Sequence, residues 1–224
     1  KKIVTANCLV KFMSILLACI ILLLQNIAVF LDNLSVFYLT KNHRTEKLAS
    51  LFARKHQIDF LSRGFLFFTP PLLGYLITKD DFNSLLIIFF LSSIISLVVT
   101  LVQSAWLLKS LNYKFTLNIK WKTFGLMIVG LIVYSIYMYV PFYLNILAYF
   151  FIEQSLWLVQ LSPGLTMVAS IFVVYYMDPR IAKFIDNKRD NKSPQVILEM
   201  IAMRSIGRFF IVFLALLMIF KFSI

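Results

Sequence analysis

Three arginines lie close to the start of long apolar stretches in this chain. Arg63 opens one stretch, and Arg204 and Arg208 open another, four residues apart and therefore on one helix face. An arginine held at mid-depth in a bilayer costs about 3 kcal/mol on insertion scales. We therefore expect each arginine either to face a polar cavity inside the protein or to snorkel to the lipid headgroups, and for Arg208 snorkelling is the favoured alternative.

Acidic residues at the ends of apolar stretches form a second group that could carry function. Asp32 and Glu153 are either solvated helix caps or charge partners of the arginines. Asp178, followed by a proline, is also a polar or charge-pair candidate, but its favoured interpretation is a helix terminator. His43 and His56 lie in a basic stretch without a third ligand. They are expected to be solvated loop residues, and no metal site is predicted.

The elements that position these residues are predicted to be membrane-spanning helices. Of the residues, 61% are hydrophobic and 14% are charged, which is more apolar than a soluble domain. Several stretches reach the roughly 20 residues that span hydrocarbon, and no alternation of period two indicates strands. The sequence predicts an all-α polytopic membrane helix bundle, a single domain over 1–224 with about six transmembrane helices. The expected spans are 12–31, 60–77, 82–108, 123–150, 157–177 and 201–220.

Prolines mark the places where these helices are expected to bend. Pro70 and Pro71 are adjacent in the second expected span, Pro141 lies in the fourth and Pro163 in the fifth. Proline removes a backbone donor and clashes with the preceding turn, so a bend or a broken turn is predicted at each site.

The basic residues are distributed unevenly between the loops. The net charge is +12, and the lysines and arginines form short blocks, most of them after the first, third and fifth expected spans. The positive-inside rule therefore places these loops in the cytoplasm and both termini outside. Blocks between apolar stretches favour contact with anionic phospholipids over binding to nucleic acid.

Motifs for catalysis are not found in the sequence. It has no glycine-rich phosphate loop, no paired histidines at helical spacing and no serine in a nucleophile elbow. The pair Asp80-Asp81 has no second acidic motif to complete a prenyltransferase-like site. The protein is therefore expected not to be an enzyme and to use no cofactor.

Several short motifs, taken in order, resemble the Amj family of bacterial lipid II flippases over about residues 12 to 220. The family pattern is matched by Asp32 ahead of Arg44-Thr45-Glu46-Lys47-Leu48-Ala49, by Ser62-Arg63 ahead of Pro71-Leu72-Leu73-Gly74, by Gly130 to Tyr137, and by Glu153, Leu161-Ser162, Ala169-Ser170, Asp178-Pro179 and Arg204-Ser205-Ile206-Gly207.

The resemblance implies a flippase in the bacterial cytoplasmic (inner) membrane. Its cargo would be an undecaprenyl-diphosphate-linked glycan, either lipid II or a surface-polysaccharide unit. Arg44, Arg63 and Arg204, with Arg208 beside them, would grip the diphosphate, because a guanidinium holds phosphate oxygens by two bonds. Asp32 or Glu153 would pair with arginines when the cargo leaves. A non-transporting scaffold subunit and a secondary transporter for a small solute are the alternatives.

Overall fold

The computed structural model describes residues 2–42, 47–78, 82–111, 128, 137–186 and 193–222. Its elements are α1 (Lys2–Asn42), α2 (Leu48–Phe67), α3 (Thr69–Thr78), α4 (Phe82–Leu111), α5 (Tyr137–Phe150), a 3-10 segment (Ile152–Gln154), α6 (Ser155–Phe172), a π-helical segment (Val173–Met177), α7 (Asp178–Asp186) and α8 (Ser193–Phe222). All of these elements are helical, which confirms the predicted all-α fold.

Within the described residues, three helical stretches are long and apolar enough to cross a membrane. They are Phe12–Thr40, Phe82–Lys109 and Ile152–Lys183, and their mean hydropathies are 2.6, 2.9 and 1.7. A shorter apolar helix covers Met138–Phe150. The chain is therefore a helical membrane protein. The count of six spans, the orientation and the membrane that it occupies stay predictions.

Helix α2 begins well before the second expected span at 60–77. The polar stretch Arg54-Lys55-His56-Gln57, expected to lie outside the membrane, forms part of this helix. Hydropathy alone ends a span at such a stretch. Here, however, α2 packs along α1, which allows some of its polar side chains to be buried.

The chain turns at Phe68, between α2 and α3 and just ahead of the proline pair. Pro70 and Pro71 lie in the first turn of α3, where a missing backbone N–H leaves no hydrogen bond unmade. Helices α5 and α6 continue through Pro141 and Pro163. The bends predicted at these two prolines therefore do not interrupt the helices.

An aromatic cluster lies at the centre of the bundle, where α4 meets α5. Phe89 is fully buried, and its ring centroid lies 5.3 Å from that of Phe142 and 5.8 Å from that of Tyr139. Large apolar side chains such as Phe60 and Phe209 point outward instead. Outward apolar faces suit a lipid surround, while the packed centre fixes the positions of the polar side chains nearby.

Candidate functional site

Arg204 and Arg208 both face the interior of the bundle, where each is 1% exposed. Arg204 donates from Nη1 to the Asp32 carboxylate at 2.9 Å and to the Asp32 backbone carbonyl at 3.1 Å. Nη2 of Arg208 lies 3.7 Å from the same carboxylate. We call Asp32, Arg204 and Arg208 the arginine cluster. Asp32 is thus a charge partner and not a solvated cap.

The expectation that Arg208 snorkels to the headgroups is wrong. Its neighbours Phe209 and Phe210 are exposed on the opposite part of the helix surface, so α8 turns its arginines inward. Arg208 donates to the Thr100 hydroxyl and, at 3.3 Å, to the Ser96 carbonyl. The Asp32 carboxylate on α1 and the Ser96 and Thr100 oxygens on α4 offset the free-energy cost of removing the guanidinium from water. The side chain therefore does not need to reach the surface.

The polar face of α4 continues this network. Asn33 donates to the Thr100 hydroxyl at 3.1 Å and to Gln103 at 2.8 Å, so α1 and α4 are joined by side-chain hydrogen bonds. Ser92, Ser96, Thr100 and Gln103 recur at helical spacing, and this spacing is the sequence signal that identifies the face.

A second group of charges lies between α2 and α7. The Lys55 ammonium is 1% exposed and lies 2.7 Å from Asp59 and 3.2 Å from Asp178. His56 Nε2 lies 3.5 Å from the Asp178 carboxylate, and the His56 side chain is 38% exposed. We call Lys55, His56, Asp59 and Asp178 the lysine cluster.

This cluster corrects three expectations from the sequence. Lys55 was assigned to a basic loop and His56 to a solvated one, yet both lie in α2, and Lys55 is buried. Asp178 does not terminate a helix, because the chain runs from the π-helical segment Val173–Met177 directly into α7. The i, i+4 spacing of Lys55 and Asp59 is the sequence feature that could have predicted the part of the cluster on α2. No sequence feature pairs these residues with Asp178.

The two clusters balance each other in charge. The lysine cluster has two carboxylates for one ammonium, while the arginine cluster has two guanidinium groups for one carboxylate. Among their described members, the lysine cluster is therefore richer in carboxylates and the arginine cluster is richer in cations.

Arg63 lies apart from both clusters, in the wall of a cavity of about 250 Å³. Within the described part of the chain it has no hydrogen bond and no ion pair, and it is half-buried. The Ser162 hydroxyl, which also lines the cavity, is buried and has no hydrogen-bond partner among the described residues. The remaining lining residues are Leu66, Phe67, Pro70, Pro141, Pro163, Thr166, Met167 and Ser170.

The remaining predicted site residues lie elsewhere. Arg44 and His43 fall outside the described residues. Glu153 is exposed in the 3-10 segment and makes no ion pair with a described arginine. Over the ranges that the structure covers, no group of three metal-ligating side chains is found.

Comparison of the chain with protein-family models, with curated proteins and with solved structures finds no match. The fold and the site thus define a class: a helical membrane protein with two buried, oppositely biased ion clusters and a separate cationic cavity.

Proposed function

We propose that this protein is a flippase that translocates an undecaprenyl-diphosphate-linked glycan, lipid II or a surface-polysaccharide unit, across the bacterial cytoplasmic membrane. The observation that carries the proposal is Arg63, a guanidinium without a described partner in the wall of a cavity. A buried or half-buried cation without a counter-ion is costly, and an anionic ligand removes that cost.

The lining of the cavity is complementary to an amphipathic anion. Arg63 and the unpartnered Ser162 hydroxyl supply donors for phosphate oxygens, and the apolar walls at Leu66, Phe67 and Met167 suit the first isoprenoid units. Guanidinium binds phosphate by two charge-assisted bonds, each stronger than a neutral hydrogen bond. At about 250 Å³ the cavity holds the diphosphate and leaves the sugars outside it.

The arginine cluster supplies a second place for the diphosphate during the transport cycle. In this structure Asp32 accepts hydrogen bonds from Nη1 of Arg204, as a carboxylate standing in for a phosphate. Cargo that reaches α8 exchanges with Asp32, and Asp32 returns when the cargo leaves. The turn at Phe68, ahead of the proline pair, provides a hinge between two helices. On one side is α2 with Lys55, and on the other is α3 with Pro70, which lines the cavity.

Complementation of cells depleted of their lipid-linked-glycan flippases tests the proposal. The wild-type chain should restore growth, and Arg63→Ala should fail to do so at equal protein level. Loss of two charge-assisted bonds, each of which contributes about 1.5–3 kcal/mol, removes about 3–6 kcal/mol and weakens diphosphate binding by about 10²- to 10⁴-fold. Arg63→Lys should restore growth in part, because lysine keeps the positive charge but lacks the two parallel N–H donors of the guanidinium.

The matched control is Arg54→Ala, on the same helix. Arg54 is exposed and contacts Tyr38, outside the cavity, so its loss should leave rescue unchanged. Equal activity of wild type and Arg63→Ala, or equal loss in Arg54→Ala, would remove the reason for assigning diphosphate to this cavity.

The buried ion clusters also favour a second candidate, a secondary transporter for a small solute, because charges inside a membrane protein commonly mark substrate and ion pathways. Purified protein in vesicles separates the two. A flippase moves a fluorescent short-chain polyprenyl diphosphate between leaflets without a partner protein. A small-solute transporter does not, and neither does a scaffold subunit.

A further inference from the structure

The lysine cluster is built around a shortage of positive charge. Lys55 is the cation that two buried carboxylates share, 2.7 Å from Asp59 and 3.2 Å from Asp178. The Asp59 Oδ1 atom is buried and has no hydrogen-bond partner within the described part of the chain. Burying two carboxylates that share one cation costs free energy. Binding of one proton neutralises the second carboxylate and removes this excess negative charge.

His56 connects this buried site with the outside. It is partly exposed, and its Nε2 lies 3.5 Å from Asp178, whose side chain is 5% exposed. Histidine changes its charge near neutral pH, which makes it suitable for passing protons. Among the described side chains, Asp178 is faced by Lys55, His56 and Asp59 of α2.

We propose that Asp178 is a proton-binding site that is loaded through His56 and coupled to occupancy of the diphosphate site. The coupling part of this inference rests on the proposed function, while the proton site itself does not. The physical link is charge balance between the clusters. When a diphosphate displaces Asp32 from Arg204, the interior gains two negative charges, and uptake of one proton at Asp178 offsets one of them.

A proton taken up with the anionic cargo on one side is released with it on the other side, so the proton offsets part of the cargo's negative charge during the passage. Lys55 holds Asp59 in both states. Because linkage is reciprocal, diphosphate binding must also tighten proton binding by the same factor.

Infrared spectroscopy of purified protein in nanodiscs tests the proton site without any cargo. A carbonyl band of a protonated carboxyl should grow between about pH 8 and about pH 5, changing by about tenfold per pH unit while the site is mostly ionised. The band should be absent in Asp178→Asn and unchanged in Glu153→Gln, which removes an exposed carboxyl. A band that survives in Asp178→Asn, or no band in wild type, would overturn the proposal.

Wild-type protein provides a second measurement that does not depend on the folding of a variant. Dicyclohexylcarbodiimide modifies protonated carboxyls in apolar sites, and mass spectrometry locates the modified residue. Modification should rise at Asp178 as the pH falls, and Asp32, held by two arginines, should stay unmodified. Modification at Asp32 in place of Asp178 would contradict the assignment.

The coupling is tested by adding farnesyl diphosphate to the same samples. At the same diphosphate concentration, protonation at Asp178 should tighten by about fivefold or more in wild type and by less in Arg63→Ala, which binds diphosphate more weakly. If the proton band is present but diphosphate leaves it unchanged in wild type, the coupling is wrong and the proton site stands. If Arg63→Ala binds diphosphate as tightly as wild type, the proposed function fails independently of the proton site.

Discussion

Removal of the Asp32 carboxylate would leave two buried arginines without their counter-charge, and the size of the effect can be worked out from the structure. Asp32 lies 2.9 Å from Arg204 and 3.7 Å from Arg208. At an effective dielectric constant of about 20, these contacts correspond to about 6 and about 4–5 kcal/mol of Coulomb energy. Breaking a buried pair by removing one partner typically costs about 3–5 kcal/mol, and this is our expectation for Asp32→Asn.

The partner substitution should cost less, because it leaves a balanced pair. In Arg204→Met, Asp32 keeps Arg208 as its counter-charge, so about 1–3 kcal/mol is expected. In the double variant one arginine lacks the Asp32 carboxylate, whereas in Asp32→Asn alone two arginines lack it. We therefore expect Asp32→Asn with Arg204→Met to be more stable than Asp32→Asn alone, by about 1–3 kcal/mol.

Unfolding with increasing dodecyl sulfate in mixed lipid–detergent micelles, followed by tryptophan fluorescence, gives the four free energies. Glu153→Gln serves as the control, because this exposed side chain should contribute nothing measurable. If Arg204→Met costs as much stability in the Asp32→Asn background as it does in the wild-type protein, the two side chains are not energetically coupled, and the charge pairing inferred for the interior is incorrect.

Lys55→Met should destabilise the protein by about 3–5 kcal/mol, because Asp59 and Asp178 lose their shared cation. Adding Asp178→Asn should recover part of the lost stability in the same unfolding assay, and additive losses would contradict the shared ion pair. Phe89→Ala should cost about 3–5 kcal/mol, measured as a lower midpoint of thermal unfolding, because the side chain is fully buried. Arg208→Lys should lower the free energy of unfolding by about 1–2 kcal/mol, since an ammonium cannot reach all the acceptors that the guanidinium contacts on α1 and α4. An unchanged free energy of unfolding would show that the several donors of the guanidinium do not contribute.

Apolar stretches were a sound guide to the helices and a poor guide to where they begin. The expected span at 82–108 lies within α4, Phe82–Leu111, because an uninterrupted apolar stretch leaves few alternatives to a helix in lipid. The start of α2 was misplaced, because Lys55 and its polar neighbours resemble a loop whenever their partners are unknown.

The sequence by itself determined that this is an all-α membrane protein, and it identified Asp32, Arg63 and Arg204 as residues to be explained. Composition and hydropathy are local properties, and they suffice for that much. The tertiary structure decided which charges meet: Asp32 with Arg204, 172 positions apart, and Lys55 with Asp178, 123 positions apart. A charge in a membrane helix is stable in lipid headgroups or beside an opposite charge, and only the packing of distant helices determines which of the two it finds.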